Sequence, residues 1–280
     1  MQAQAAAIAF AVGVCLFGLA SGATEPMPDV GHIYIVGNSQ LYTSIRGAGR
    51  PLVFLHGGLS NFDATFARQA DFFAAFRTII GIDQRGHGHS PDNDEPFSYR
   101  QMADDTAALI EQLHVGVVDI IGHSDGGNVG LLIARYHPKI LRRLVVSGAN
   151  ARGDFNGSWT YWHDILRPVD TFAATVPAVV RDNYVRVSPD GAQHWPIIVA
   201  KTKDLWETRI VLDRQDLRSI QTPVLVVAGD HDLVSLEHTI EIFRQLSNAQ
   251  LCILPASGHG TMSDDPEDFN RVARTFLERP

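Results

Sequence analysis

Cysteine is scarce in this 280-residue sequence: Cys15 and Cys252 are the only two. With the N-terminal segment removed, Cys252 stands alone and no intrachain disulfide can form. Neither cysteine has the neighbours a zinc site needs. Basic residues are also few, 23 Lys and Arg against 31 Asp and Glu, for a net charge of −8. No basic run stands out, so nucleic acid is not an expected partner. There is no internal repeat and, past the first residues, no low-complexity tract. Nor is there an apolar run of the ~20 residues that a membrane span requires.

The nearest approach to such a run is Ala5 to Ala20, followed by the small residues Ser21-Gly22-Ala23. It has the layout of a secretory signal peptide with cleavage near Ala23, although no Lys or Arg precedes the apolar stretch. Cys15 follows Val12-Gly13-Val14, a poor match to a lipoprotein signal. The expectation is a signal peptide over residues 1–23 and a protein exported to the periplasm or the medium. There is then no stable membrane partner unless the segment stays uncleaved as an anchor. A misassigned start codon, leaving a cytoplasmic protein, is the other alternative.

What remains is rich enough in apolar residues, 45% overall, to build a sizeable core in one domain with an insertion. Ile33–Val36 and Leu41–Ile45 read as a hairpin about Gly37-Asn38. Short apolar runs at Leu52–Leu55, Thr78–Asp83, Val117–Ile121, Leu141–Ser147, Val224–Ala228 and Gln250–Leu254 suit buried strands. Helical patterns fall between them, at Asp63–Phe76, Ser98–Leu113, the stretch before Pro138, Leu236–Leu246 and Pro266–Leu277. Strands alternating with helices predict a mostly parallel sheet covered on both faces, an α/β class. The alternation lapses between Asn150 and about Asp216, where all four tryptophans and several prolines lie. This predicts a mostly helical cap, residues 151–216, inserted into a core made of 24–150 and 217–280. Trp159 and Trp162 are candidates for a substrate wall, and packing of the cap onto the body is the alternative role for each tryptophan.

One stretch carries most of the chemistry. Gly122-His123-Ser124-Asp125-Gly126 joins an apolar β-branched run to a helical one, which puts Ser124 at a strand-to-helix turn. A sharp turn lifts the hydroxyl clear of the backbone, and the small flanking glycines allow close approach of neighbouring chains. The helix start adds N–H groups and a positive dipole end beside the hydroxyl. A serine hydroxyl needs a base, and the base needs an orienting acid. Asp230 and Asp232 follow the Val224–Ala228 strand, and His259, in a Gly-flanked loop, follows the last strand. Asp232 is preferred as the acid, with Asp230 holding loop backbone. His123 is expected to pack under the turn. An oxyanion formed at Ser124 needs preorganised donors, each worth about 3 kcal/mol. The N–H of Asp125 is one candidate. The other comes from His56-Gly57-Gly58-Leu59, with Gly58 preferred and Leu59 second. His87 and His89 could suggest a metal pair, but they read better as variable positions of a loop, and no metal or other cofactor is expected.

Together, His56-Gly57-Gly58, the Asp83–Ser90 loop with its Arg-Gly-x-Gly-x-Ser run, the Ser124 turn, Gly229-x-x-Asp232 and Gly258-His259 resemble the α/β-hydrolase superfamily. The resemblance runs from Leu52 to Pro280 and implies the α/β-hydrolase fold, with a mostly parallel central sheet, helices on both faces and an inserted helical cap. It also implies a Ser124–His259–Asp232 triad. Gly122-x-Ser124-Asp125-Gly126-Gly127 and Ser147–Ala151 are similar to the valacyclovir hydrolase (biphenyl-hydrolase-like) group. That likeness implies that Asp125 binds the amino group of a substrate; packing beside the helix start is the alternative. The expected activity is hydrolysis of a small carboxylic ester through an acyl-enzyme. Cleavage of C–C bonds, amides or lactones, a cofactor-free perhydrolase or haloperoxidase, and a slow-turnover ligand receptor are the alternatives on the same site.

Overall fold

The structure, a computed structural model, describes residues 31–151, 167–207 and 212–279. The expected signal peptide, residues 1–23, and the candidate wall residues Trp159 and Trp162 lie outside the described residues. Among the described residues no helix is long and apolar enough to cross a membrane.

Eight strands form one sheet in the order β1-β2-β4-β3-β5-β6-β7-β8. They are β1 (His32–Val36), β2 (Ser39–Gly47), β3 (Arg50–Leu55), β4 (Arg77–Ile82), β5 (Val118–His123), β6 (Leu141–Ser147), β7 (Val224–Gly229) and β8 (Ala249–Leu254). β1 and β2 form the hairpin, β2 pairs antiparallel with β4, and every other pairing is parallel. The six parallel strands therefore end on one edge, where open α/β sheets hold their ligands.

The apolar runs have no polar alternation because both faces of these strands are covered. On β3, Val53 and Leu55 join one core cluster while Leu52 and Phe54 join the other. The first cluster packs against α2 (Tyr99–Gln112), α3 (Asp125–Tyr136) and α8 (Leu236–Gln245). The second packs against α1 (Phe62–Ala74), through Phe62, Phe66, Ala70 and Phe73 at helical spacing, and against α10 (Pro266–Leu277). At the opposite edge of the sheet from the site, buried Arg77 and Asp119 form an ion pair that Arg142 joins at 2.6 Å.

Between β6 and β7 the described residues hold only helices: α4 (Val169–Ala173), α5 (Ala178–Val187), α6 (Trp195–Trp206) and α7 (Arg214–Ser219). His194 Nε2 and Lys201 Nζ reach Asp92 Oδ2, at 2.8 and 2.7 Å, and so tie α6 to the loop after β4. A short helix, α9 (Thr261–Asp264), follows the last site loop and has no counterpart in the sequence reading.

Candidate active site

From Val118 to Ala134 every residue is buried except Ser124. Its backbone explains why. Ser124 has φ 52° and ψ −117°, a conformation that costs a non-glycine residue about 1–3 kcal/mol. The turn is held by Ser124 N–H donating to Ser147 O at 2.8 Å, and by Ser124 O accepting from Gly127 and Asn128. Ser124 stands at the N-cap of α3, yet its side chain makes no capping hydrogen bond. Ser98 and Ser235, at ordinary extended N-caps, both accept from the helix N–H three residues on. The strained turn thus withdraws the Ser124 hydroxyl from capping. Gly122 and Gly126 make room for it: a Cβ on Gly122 would strike Gly126 O, and one on Gly126 would strike Leu55 O.

Strain clusters at this edge. Among the described residues, the positive-φ positions other than glycine are Leu59, His114, Ser124 and Ala256. All but His114 lie on the loops that border the site.

His259 and Asp232 meet at the ends of β8 and β7. His259 Nδ1 lies 2.7 Å from Asp232 Oδ1, and both side chains are buried. Asp232 Oδ1 also accepts from Val234 N–H at 2.9 Å, which fixes the carboxylate. Because the carboxylate can only accept, Nδ1 carries the proton and Nε2 is the ring's acceptor. Asp230 is exposed and serves the loop instead, accepting from Ser257 N–H at 3.1 Å. Hydrogen bonds from the Ala256 and Ser257 backbone lower its pKa. Gly148, directly after the Ser147 that holds the Ser124 turn, passes under the pair. A Cβ there would lie 2.7 Å from His259 Cε1 and 3.4 Å from Asp232 Oδ2. The His259 ring also stacks obliquely on His123, with centroids 4.8 Å apart. His123 is buried, and burial first, then the neighbouring His259, holds its pKa well below the ordinary range.

The loop after β3 borders the serine on the other side. A Cβ on Gly57 would lie 3.2 Å from Ser124 Cβ. Gly58 is the one residue from Leu52 to Leu59 that is not buried, and Leu59 is buried in a left-handed conformation with φ 54°. A Cβ on Gly58 would collide with Asp125 Oδ2 and lie 2.7 Å from Trp206 Cζ2. Gly58 therefore sits against the start of α3, whose first N–H groups have no acceptor within their own helix.

His56 locks this loop. Its Nδ1–H donates to Gly57 O at 2.7 Å, and its Nε2 accepts from Gln84 N–H at 2.9 Å. That pattern requires the neutral ring. Burial, followed by the nearby His87, lowers the His56 pKa from 6.5 to about 4. Between these values the unfolded chain holds the extra proton and the folded chain does not. This contribution to stability is full above pH 6.5 and is lost as pH falls toward 4. Going from pH 7 to pH 5, the wild type is expected to lose about 2 kcal/mol more than His56→Gln in urea melts. Parallel losses in the two proteins would contradict this reading.

His87 and His89 are committed to different partners: His87 Nδ1 to Arg85 O, and His89 Nδ1 to Asp83 Oδ2, each at 2.9 Å. Two residues of the site have no local signature in the sequence. The Tyr99 hydroxyl donates to Asp125 Oδ1 at 2.6 Å, and the Trp206 indole N–H donates to Asp125 Oδ2 at 2.8 Å. Asp125 is itself buried, and burial raises its pKa against the pull of these donors.

A mostly parallel sheet with a strained serine elbow, a His–Asp pair and a glycine loop gathered at its carboxyl edge fits the frame of a hydrolase. Residues 52–272 match the Alpha/beta hydrolase family, and the chain belongs to that family. It is 30% identical over 265 residues to the "Putative carbamate hydrolase RutD" of Caulobacter sp. (strain K31), covering 85% of this chain and 95% of that protein. It is 27% identical over 244 residues to the serine hydrolase BPHL of Mus musculus, covering 85% and 82%. Among solved structures it resembles a serine hydrolase involved in carbazole degradation, the CarC enzyme. The TM-score is 0.74 at 20% identity, over 89% of this chain and 98% of that one.

Proposed function

We propose that the protein is a serine hydrolase that cleaves small carboxylic esters through an acyl-enzyme. The observation that carries the proposal is the Ser124 hydroxyl, withdrawn from helix capping at the same sheet edge as the buried His259–Asp232 pair. His259 Nε2 takes the proton as Ser124 Oγ attacks the ester carbonyl. The oxyanion lies against the N–H of Asp125 and that of Gly58, or of Leu59 in second place. The alcohol leaves with the proton from His259, and water, activated by the same ring, releases the acid. Asp232 keeps the proton on Nδ1 and stabilises the imidazolium. The leader over residues 1–23 supports export of this activity.

The test is a panel of p-nitrophenyl esters of increasing acyl length, with matched amides, lactones and a C–C cleavage substrate. Expected is a burst followed by steady turnover on short acyl esters, and at least a hundredfold preference over the matched amide. Steady turnover confined to another substrate class would overturn the ester assignment. A burst with no steady state would favour the ligand receptor.

A further inference from the structure

A carboxylate buried one residue from the nucleophile is an unusual neighbour for an ester. It is a buried acidic group held by hydrogen-bond donors, and a positive group would be its natural partner. The carboxylate is that of Asp125. Its two oxygens are met by neutral donors, the Tyr99 phenol from the start of α2 and the Trp206 indole from the end of α6. Trp206 reaches across from the segment between β6 and β7. Its six-membered ring lies over Gly58, the partly buried residue of the loop beside the serine, and Phe172 of α4 meets the indole edge-on at 5.8 Å. The indole is therefore positioned from three sides: by the carboxylate, by the glycine that a larger residue would displace, and by an aromatic neighbour.

On the ester-hydrolase reading above, we propose that Trp206 is a specificity-determining residue. By donating its N–H to Asp125 Oδ2 and roofing Gly58, it closes the carboxylate to any ammonium group near the scissile carbonyl, and so selects esters with an uncharged acyl part. An amine entering this site must displace the indole from Oδ2 or remain unpaired beside a desolvated wall. An uncharged acyl chain meets only the aromatic face. Removing the N–H while keeping an aromatic ring exposes Oδ2 as an anionic acceptor and reverses the preference.

The test measures binding rather than turnover. Calorimetric titrations on Ser124→Ala and on Ser124→Ala/Trp206→Phe use three benzyl esters that share one acyl carbon skeleton: isovalerate, L-valine and N-acetyl-L-valine. The proposal expects the affinity ratio of the valine ester to the isovalerate ester to rise tenfold or more in the double variant, whatever change the esters share. It expects no such rise for the N-acetylated ester, which carries no charge. Trp206→Leu is made in parallel and must move the ratio in the same direction; it decides the matter if the phenylalanine variant fails to fold. A ratio unchanged in the folded variants, or a rise equal for the N-acetylated ester, overturns the proposal. Because binding is read without the serine, that result is separate from the ester-hydrolase reading, which stands or falls on turnover by the unaltered chain.

Discussion

Replacing Ser124 with alanine is expected to lower kcat on a p-nitrophenyl ester by roughly four to six orders of magnitude, and His259→Ala is expected to do nearly the same. The two act as one unit, since the hydroxyl is a weak nucleophile until the imidazole accepts its proton. The double variant should therefore be little worse than either single one. Additive losses would mean that the groups act in separate steps. The serine change should not unfold the protein, because the Ser124 side chain caps nothing and its backbone bonds to Ser147, Gly127 and Asn128 persist without it. Ser124→Gly takes the point further. Glycine adopts φ 52° and ψ −117° readily, so this variant should lose activity equally while gaining about 1–3 kcal/mol of stability. A gain of stability with loss of function at one position would show that the strain is kept for the hydroxyl.

The second large effect concerns the acid. Asp232→Asn is expected to lower kcat by about 10⁴-fold, and Asp230→Asn by no more than about tenfold. An asparagine at 232 can present N–H₂ to the ring as well as oxygen. If it donates to Nδ1, the proton moves to Nε2, and the ring can no longer accept from Ser124. The protein fold has little reason to change, because the replacement keeps shape and one acceptor. Asp230 lies on the same loop but accepts from Ser257 N–H, a role that asparagine oxygen also fills. Equal losses at the two aspartates would contradict the assignment. Stability measured alongside separates a loop defect from a tautomer defect.

Much of this site is visible in the sequence because its parts are local. A strand buried on both faces reads as an unbroken apolar run, and the glycines beside Ser124 and His259 mark turns whose geometry only small residues allow. Helix ends are off by one or two residues, since α1 starts at Phe62 from an Asn61 cap where apolar periodicity suggests Asp63. The order of the sheet is less visible: β4 sits between β2 and β3, a crossover that no local pattern encodes. The partners of Asp125 are hidden for the same reason. Tyr99 lies 26 positions before it and Trp206 lies 81 after it, so their meeting is a product of tertiary packing. In the sequence Trp206 is one tryptophan among four, with nothing to set it apart. Gly148 is similar, since its need to be glycine appears only once the His259 ring lies above it.

Labelling with a fluorophosphonate, followed by peptide mapping, shows whether Ser124 is a nucleophile activated by His259. The reagent phosphonylates a serine whose hydroxyl gives its proton to a neighbouring base as it attacks, whatever the natural substrate. One adduct per chain is expected, on Ser124, and it should be lost in His259→Ala although the serine is still present. An adduct on another serine, or undiminished labelling of Ser124 without His259, would contradict that activation.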